Sequence, residues 1–366
     1  PLRDFMAAAH PFDLKIKLDP DYTRLRRALL RQGEPDRVPL LELKADEEMV
    51  AALMGVETPL WLDATEKERW TALEVRFWHE LGYDVVRMRA GLRLPVKKEA
   101  AADTAVLQRA QREWQSESEG PIANWEDFER YPWPRPQDAD FSQIEYAARI
   151  LPLGMKLLIS PYGMLEPLMW LMGYQPFALA LYDQPDLIQA MADKIAGIYV
   201  PICEALLEMD AVIGLFPGDD MGFKTATMVA PQHLRQYVFP YHKKLATMAH
   251  AHDKIYILHS CGNLEAIMPD LIDDVGIDAK HSFEDVIIPV EVFKARYGDR
   301  IGVAGGIDVN LLASGTEDQV RARVRQVLDA CMPGGGYALG TGNSVTNYIP
   351  PRNFLAMVDE GHRWRR

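Results

Sequence analysis

The feature that most constrains the fold of this 366-residue chain is a strand-then-helix pattern that repeats eight times. Each short apolar or β-branched run is followed by a loop containing Gly, Pro or Asp and then by an amphipathic segment. The runs lie at residues 38–43, 84–88, 155–160, 211–215, 254–259, 277–280, 300–304 and 336–339. Eight such units predict an α/β fold, a single (β/α)8 TIM barrel. A doubly wound sheet is the alternative, but it commonly opens with a glycine-rich turn, and no such turn follows Leu43.

Two regions stand outside this pattern. Residues 1–35 predict a helical arm, and residues 91–136 predict an insertion after the second strand. A loop of that length in a compact domain is usually functional or disordered. Its aromatic residues favour an ordered hairpin insertion near the barrel mouth, although a contact within a homodimer is an alternative role. We treat residues 1–366 as one domain.

Composition excludes several classes of partner. The formal net charge of -13 argues against nucleic-acid binding, which needs a basic surface, and equally against an anionic membrane surface. No apolar run approaches the roughly 20 residues that span a bilayer. Three widely spaced cysteines, Cys203, Cys261 and Cys331, cannot form a disulfide framework and indicate a reducing cytoplasm.

Polar residues follow the predicted strand ends, which in a barrel converge on one face. Acid, imidazole, thiol and amide groups together indicate an enzyme. The predicted catalytic residues are Glu42, Tyr162, Asp219 and Asp220. The predicted substrate or cofactor contacts are Arg87, Arg89, His281, Asp308 and Asn343.

The most specific pattern is His259-x-Cys261 at the end of the fifth run. Side chains two positions apart in a strand share a face, so an imidazole and a thiolate can bind one zinc ion there. The alternative is a buried histidine bonded to backbone beside an inert core cysteine. Asp219 and Asp220 also have a functional and a structural interpretation. Paired carboxylates can bind metal or exchange protons, whereas in the structural alternative one of them caps the backbone of a loop.

Four motifs resemble the uroporphyrinogen decarboxylase superfamily, in its branch with cobalamin-dependent methyltransferases. They are His-Ser-Cys-Gly-Asn at 259–263, Gly-Gly-Ile-Asp at 305–308, Gly-Gly-Gly-Tyr at 334–337 and Glu-Pro-Asp-Arg-Val-Pro at 34–39. The resemblance runs from about Leu25 to the C-terminus and implies a (β/α)8 barrel. The decarboxylases resemble one another in an arginine-rich segment after the first strand and a histidine after the last. In this chain the segment after the first strand is Leu-Glu-Leu-Lys at 41–44, and Thr341 is at the position of the histidine. Both differences argue against uroporphyrinogen as the substrate.

The resemblance also implies a metal site. Methyltransferases of this branch hold zinc with a His-x-Cys pair, which His259 and Cys261 match, and with a later cysteine. The later cysteine would fall near Asn343, so the chain departs from the pattern there. A carboxylate from Asp219, Asp220 or Glu42 can supply the missing ligand.

The leading functional hypothesis is therefore a methyltransferase that moves a methyl group between a small substrate and a cobalamin carried by a corrinoid protein. Zinc would either activate a thiol acceptor or act as a Lewis acid on a methyl ether in an O-demethylation. One alternative is a decarboxylase of a small carboxylate that Arg87 or Arg89 would bind. The other is a non-catalytic barrel that binds a corrinoid.

Overall fold

The computed structural model describes residues 18–57, 64–101, 105, 107, 112–116 and 118–365. In chain order, its strands are β1 (Val85–Arg89), β2 (Lys98–Ala101), β3 (Arg112–Gln115), β4 (Lys156–Ser160), β5 (Val212–Leu215), β6 (Ile255–His259), β7 (Ala279–His281), β8 (Gly302–Ala304) and β9 (Tyr337–Ala338). Its α-helices are α1 (Tyr22–Leu29), α2 (Glu47–Met54), α3 (Ala64–Glu80), α4 (Trp125–Arg130), α5 (Ser142–Ile150), α6 (Leu165–Met172), α7 (Tyr174–Asp183), α8 (Pro185–Leu207), α9 (Pro231–His233), α10 (Phe239–Ala251), α11 (Val290–Tyr297), α12 (Val309–Ser314), α13 (Glu317–Cys331) and α14 (Pro351–Arg363). Short 3-10 helices lie at Pro136–Asp138 and Glu265–Ile267, and π-helical turns lie at Leu234–Val238 and Asp270–Val275.

Seven strands form one parallel sheet in the order β1-β4-β5-β6-β7-β8-β9. Each strand pairs with the next one along the chain, apart from the inserted pair β2–β3, so the connections cross over through helices. All seven carboxyl ends therefore lie at the same edge, where a site is expected. Seven of the eight predicted runs each overlap one of these strands.

The first predicted run, 38–43, does not form a regular strand. It contributes one isolated parallel bridge between Leu40 and Leu339, followed further along by a bridge between Ala45 and Val345. Pro39 has no amide hydrogen with which to extend the ladder towards the start of β9. The sheet of the described residues thus has seven strands, and the closed eight-stranded barrel stays a prediction.

Strand residues alternate between an inner and an outer apolar layer. In β6, Ile255 and Ile257 belong to the inner cluster, whereas Tyr256 and Leu258 pack in the outer cluster with the helices. Because this alternation has a period of two, His259 continues the inner series at the carboxyl tip of β6. The inner cluster comprises Leu25, Leu29, Leu41, Leu43, Val85, Leu158, Ile213, Phe216, Ile255, Ile257, Ala279, Ala304 and Ala338.

Helix α1 closes the inner layer at the end opposite the strand tips. Its Leu25 and Leu29 are fully buried in the inner cluster. Arg24 anchors the helix through its ion pair with Asp84, the residue before β1, at 2.7 Å. This described part of the predicted helical arm is therefore part of the core, while residues 1–17 lie outside the described residues.

The segment 91–136 contains the antiparallel hairpin β2–β3 and helix α4. Its Leu107 exchanges hydrogen bonds with Asn347, which follows β9, so this part of the segment lies beside the carboxyl edge of the sheet. Phe128 and Trp133 pack edge to face, and Tyr131 donates to the Pro95 carbonyl. None of the described helices has both the length and the apolar character needed to cross a membrane.

We expect Leu25→Ala to destabilise the fold by about 2–5 kcal/mol, because it leaves a cavity in the inner cluster. The matched control is Leu179→Ala, since Leu179 is 67% exposed and its loss should cost less than about 0.5 kcal/mol. Urea denaturation of the two variants measures the difference. Equal midpoints would contradict the burial of α1.

Candidate metal centre

The candidate site lies where the chain leaves the neighbouring strands β5 and β6. The two loops exchange backbone hydrogen bonds: His259 N–H donates to the Pro217 carbonyl at 3.0 Å, and Asp219 N–H donates to the His259 carbonyl at 2.9 Å. The pairing continues with Gly222 N–H and the Cys261 carbonyl at 3.1 Å. This ladder fixes both loops against one another at the mouth.

Gly262 allows the two loops to approach closely. It has a φ of 83°, and a Cβ at this position would lie 2.1 Å from the Gly222 carbonyl oxygen. Only glycine meets both conditions without strain. The Cys-Gly pair at 261–262 therefore places the thiol beside the loop that carries Asp220.

Asp220, His259 and Cys261 converge to form a three-ligand group. Their nearest ligand atoms all lie within 4.8 Å of one another. His259 Nε2 is 3.5 Å from Cys261 Sγ and 3.4 Å from Asp220 Oδ1. His259 is buried, whereas the Asp220 side chain is 37% exposed, so the group is accessible from the carboxylate side.

The donor set fits zinc. Catalytic zinc sites use three protein ligands and keep a fourth position open. A nitrogen at about 2.0–2.1 Å and a sulfur at about 2.3 Å from one tetrahedral ion lie about 3.5–3.6 Å apart. The observed 3.5 Å between His259 Nε2 and Cys261 Sγ matches that separation. The separation of these two donor atoms is therefore compatible with one bound zinc ion.

Two hydrogen-bond donors converge on the Cys261 sulfur. Ser282 Oγ and Asn343 Nδ2 each lie 3.2 Å from Sγ. Ser282 has a φ of 89°, which is rare for a residue with a side chain, and the Lys280 ammonium donates to its carbonyl. Donors aimed at sulfur favour the thiolate, the form that binds metal.

The electrostatics of the group favour a bound cation. Burial and the neighbouring Asp220 carboxylate raise the pKa of the Cys261 thiol well above its ordinary value. Burial, together with Asp220 and Asp219, likewise raises the pKa of the Glu166 carboxyl. Burial lowers the pKa of His259, which favours the neutral imidazole, the form with a lone pair for a metal. A cation would relieve this crowding of acidic groups.

Asp219 has a different environment from its neighbour Asp220. It is fully buried, and its oxygens accept the backbone N–H groups of Met164, Leu165 and Glu166 at 2.8–3.0 Å. His242 Nε2 lies 2.7 Å from the same carboxylate. These contacts cap the start of α6, which is the structural alternative that the sequence left open for the Asp-Asp pair. Of the two carboxylates, Asp220 is therefore the one that belongs to the ligand group.

Arg87 and His281 lie on the inner side of the site. Arg87 donates to the Leu43 carbonyl at 2.9 Å, to the Phe216 carbonyl at 3.2 Å and to the Ser160 hydroxyl. Burial lowers the pKa of its guanidinium to about 9. His281 is fully buried, and its Nδ1 lies 2.8 Å from Nδ1 of His259.

The other predicted site residues lie outside the ligand group. Glu42 is buried and accepts from the backbone and hydroxyl of Thr341, and burial raises its pKa to about 8. Asp308 caps α12, and its side chain also accepts from the Asp285 backbone at 2.8 Å. Tyr162 packs edge to face on Trp170 and Tyr199. Arg89 is exposed at the end of β1. Their predicted roles stay predictions.

Sequence reasoning did not identify Ser282, Lys280 and Glu166. Glu166 follows the third predicted strand by a few residues, so a wider window after that strand would have included it. The role of Ser282 depends on a backbone angle that no local pattern encodes. Lys280 occupies an outward position of β7, where it packs over Phe283 at 4.3 Å.

The run Gly305-Gly306 has a packing role. A Cβ on Gly305 would lie 2.9 Å from His281 Nε2, and one on Gly306 would lie 2.5 Å from Val290 Cβ. Both glycines also have positive φ. The motif therefore makes room for the buried histidine and for α11.

Comparison with known proteins supports the resemblance. The family model described as uroporphyrinogen decarboxylase (URO-D) matches residues 29–364. The uroporphyrinogen decarboxylase of Bordetella petrii is 27% identical over 203 residues, which are 53% of this chain and 53% of that protein. That of Methylibium petroleiphilum is 32% identical over 106 residues, 28% of this chain and 26% of that protein. The matched part thus spans about half the length of such relatives or less.

A solved structure shares the fold over nearly the whole chain. A methyltransferase from Methanosarcina mazei superposes with a TM-score of 0.69 and covers 93% of this chain and 97% of its own. The two sequences are 20% identical, so the likeness concerns the fold.

We predict that the neighbouring carboxylates respond differently to the same substitution. Asp219→Asn should lower the free energy of unfolding by at least about 2 kcal/mol, because hydrogen bonds to a charged group contribute about 1.5–3 kcal/mol each. Asp220→Asn should cost about 1 kcal/mol, because this partly exposed carboxylate accepts the Cys261 N–H where Asp219 accepts three backbone N–H groups, and the Asn oxygen can still accept that bond. Chemical denaturation measures both, and equal losses would contradict the separate assignments.

Proposed function

This chain belongs to the uroporphyrinogen decarboxylase family, and from that premise we propose that it is a zinc-dependent methyltransferase that demethylates a small methyl ether and passes the methyl group to a corrinoid. The observation that carries the proposal is the convergence of Asp220, His259 and Cys261 at the mouth. In the proposed reaction the ether C–O bond breaks, the methyl group joins the cobalt of a reduced corrinoid, and a proton completes the alcohol or phenol.

The ligand set supports an oxygen leaving group. Where the resemblance implies a second sulfur, Asn343 presents an amide donor to Cys261 Sγ, and the Asp220 carboxylate supplies the third ligand atom. A carboxylate is a harder ligand than a thiolate and favours harder partners on the ion. A zinc ion held there would supply Lewis-acid stabilisation of the charge that develops on the leaving oxygen.

The residues of the site have separate roles in binding and positioning the ion. Cys261, His259 and Asp220 would hold the ion, while Ser282 and Asn343 orient the sulfur. Asp219 holds α6 in place and with it the wall that carries Glu166. The structure thus supports a ligand role for Asp220 and a positioning role for Asp219, in place of the acid–base roles predicted for that pair.

The corrinoid would come from a carrier protein. The partly exposed Asp220 lies on the accessible side of the ligand group, and the segment 91–136 contacts the same edge of the sheet through Leu107 and Asn347. We propose that this edge receives the carrier, with the corrinoid facing the ligand group. The aromatic residues of the segment, Trp125 and Trp133 among them, suit an aryl ether equally well.

One observation favours a second candidate, decarboxylation of a small carboxylate. The half-buried guanidinium of Arg87 donates hydrogen bonds only to carbonyl and hydroxyl groups in the described part of the chain. Such a cation can receive a substrate carboxylate. The named relatives are decarboxylases, although the chain lacks their arginine pattern after the first strand.

We expect the purified protein, stripped with a chelator, to bind one zinc per chain. His259→Ala and Cys261→Ala should each abolish stoichiometric binding, because each removes one of three ligands. Cys203→Ala and Cys331→Ala are matched controls, since both thiols are buried in helices α8 and α13. Metal analysis after dialysis measures the content. Retention of zinc in both ligand variants would overturn the assignment.

The activity itself is tested by methylation of reduced cobalamin, followed by its visible spectrum, over a panel of methyl ethers and methyl thioethers. We expect turnover with an ether and its loss in Cys261→Ala. Release of carbon dioxide from carboxylates by metal-free protein, with a strong loss in Arg87→Gln, would instead establish the decarboxylase. A protein that binds cobalamin but transforms none of these compounds would be a non-catalytic barrel.

A further inference from the structure

The two histidines at the tips of β6 and β7 face one another through equivalent atoms. His259 Nδ1 and His281 Nδ1 are 2.8 Å apart, a normal hydrogen-bond distance. The strands are paired at this point, with His259 opposite His281 in the parallel register. Both residues are buried, with 4% and 0% of their surface exposed. The contact is therefore built into the sheet.

A hydrogen bond between two Nδ1 atoms requires one proton and one lone pair. Two neutral imidazoles carry one proton each. Two arrangements satisfy this count. Either His259 carries its proton on Nδ1 and His281 on Nε2, or His281 carries its proton on Nδ1 and His259 on Nε2. Only the first leaves a lone pair on His259 Nε2, the atom that faces Cys261 and Asp220.

The surroundings of His281 select between these arrangements. Within the described part of the chain, its Nε2 is buried and has no hydrogen-bond partner, and the backbone carbonyl of Thr341 lies close to it. A Cβ on Gly305 would lie 2.4 Å from the Thr341 oxygen and 2.9 Å from His281 Nε2, so the glycine leaves the space beside both atoms open. If His281 Nε2 carried no proton, its lone pair would repel the lone pairs of the Thr341 carbonyl oxygen. A proton on Nε2 can instead be donated to that oxygen, which favours the first arrangement.

We propose that His281 is a positioning residue that holds His259 in the tautomer with a proton on Nδ1, so that His259 Nε2 is free to bind a cation. The chain of contacts runs from the Thr341 carbonyl through His281 to His259. Histidine ligands of metals commonly donate their second N–H to a carboxylate, carbonyl or water, and here a second imidazole is the acceptor. The inference rests on the proposed metal site. The competing influence is the Asp220 carboxylate, which would attract a proton to His259 Nε2 in the metal-free protein.

Nitrogen NMR of the full chain labelled with 15N-histidine tests the tautomers directly, in the metal-free and the zinc-loaded protein. We expect His259 to carry its proton on Nδ1 and His281 on Nε2 in both states, with zinc shifting the His259 Nε2 resonance. A proton on His281 Nδ1 in the zinc-loaded protein would overturn the proposal. So would a proton on His259 Nε2 in the metal-free protein, since the ring would then not be preset.

Two variants of His281 separate a tautomer effect from simple packing. His281→Asn retains an acceptor oxygen near the position of Nδ1, whereas His281→Leu fills the space without an acceptor. We expect zinc affinity, measured by competition with a chelating indicator, to fall about 10–100-fold in His281→Leu and only a few-fold in His281→Asn. Equal loss in both variants would indicate packing alone and would contradict the proposal.

The proposed metal site and the role of His281 can be refuted separately. Wild-type protein that binds no zinc, yet shows the expected tautomers, would refute the proposed function and leave the histidine pairing standing. Wild-type protein that binds zinc through His259, with affinity unchanged in His281→Leu, would refute only the role of His281.

Discussion

The backbone pairing of the loops that follow β5 and β6 is the constraint on which the site depends. Bonds from His259 N–H to Pro217 and from Asp219 N–H to His259 carry the parallel sheet one step beyond its strands. Asp220 and Cys261 follow in the next positions, where the Cys261 N–H donates to the Asp220 carboxylate at 2.9 Å. Main-chain hydrogen bonds thus position the ligand group. The conformational entropy of its residues is lost when the protein folds and not when a ligand binds.

Different functions fall to chemically similar residues because their surroundings differ. The Asp219 carboxylate is fully buried and caps a helix, whereas the adjacent Asp220 carboxylate is partly exposed at the mouth of the site. Of the three cysteines, Cys203 and Cys331 are buried small apolar groups within helices, while Cys261 receives two hydrogen bonds on its sulfur. The strained backbone of Ser282, supported by the buried Lys280, is one part of what sets Cys261 apart.

The strand pattern predicted most of the sheet because period-two alternation of apolar residues is a local property of the chain. It overestimated the run at 38–43, where Pro39 limits the ladder and a single bridge to Leu339 forms. It also described residues 1–35 as an arm, although α1 fills the inner layer, since Leu25 and Leu29 do not reveal from spacing alone which surface they cover. The pair His259 and Cys261 was identifiable because the two residues are two positions apart, one at the end of β6 and the other just after it.

By itself, the sequence determined the alternating strands and helices, the edge of the sheet at which polar groups gather, and two of the three candidate ligands. These features depend on residues close together in the chain, whose relative positions follow from strand geometry. Only the tertiary structure decided that Asp220 rather than Asp219 or Glu42 joins them, that Asn343 faces the sulfur, and that His281 faces His259. The contacts of His281 with His259 and of Asn343 with Cys261 join residues that are 22 and 82 positions apart in the chain. Asp219 and Asp220 are adjacent but face different ways. In each case, the way the loops pack on the sheet decides which side chains meet.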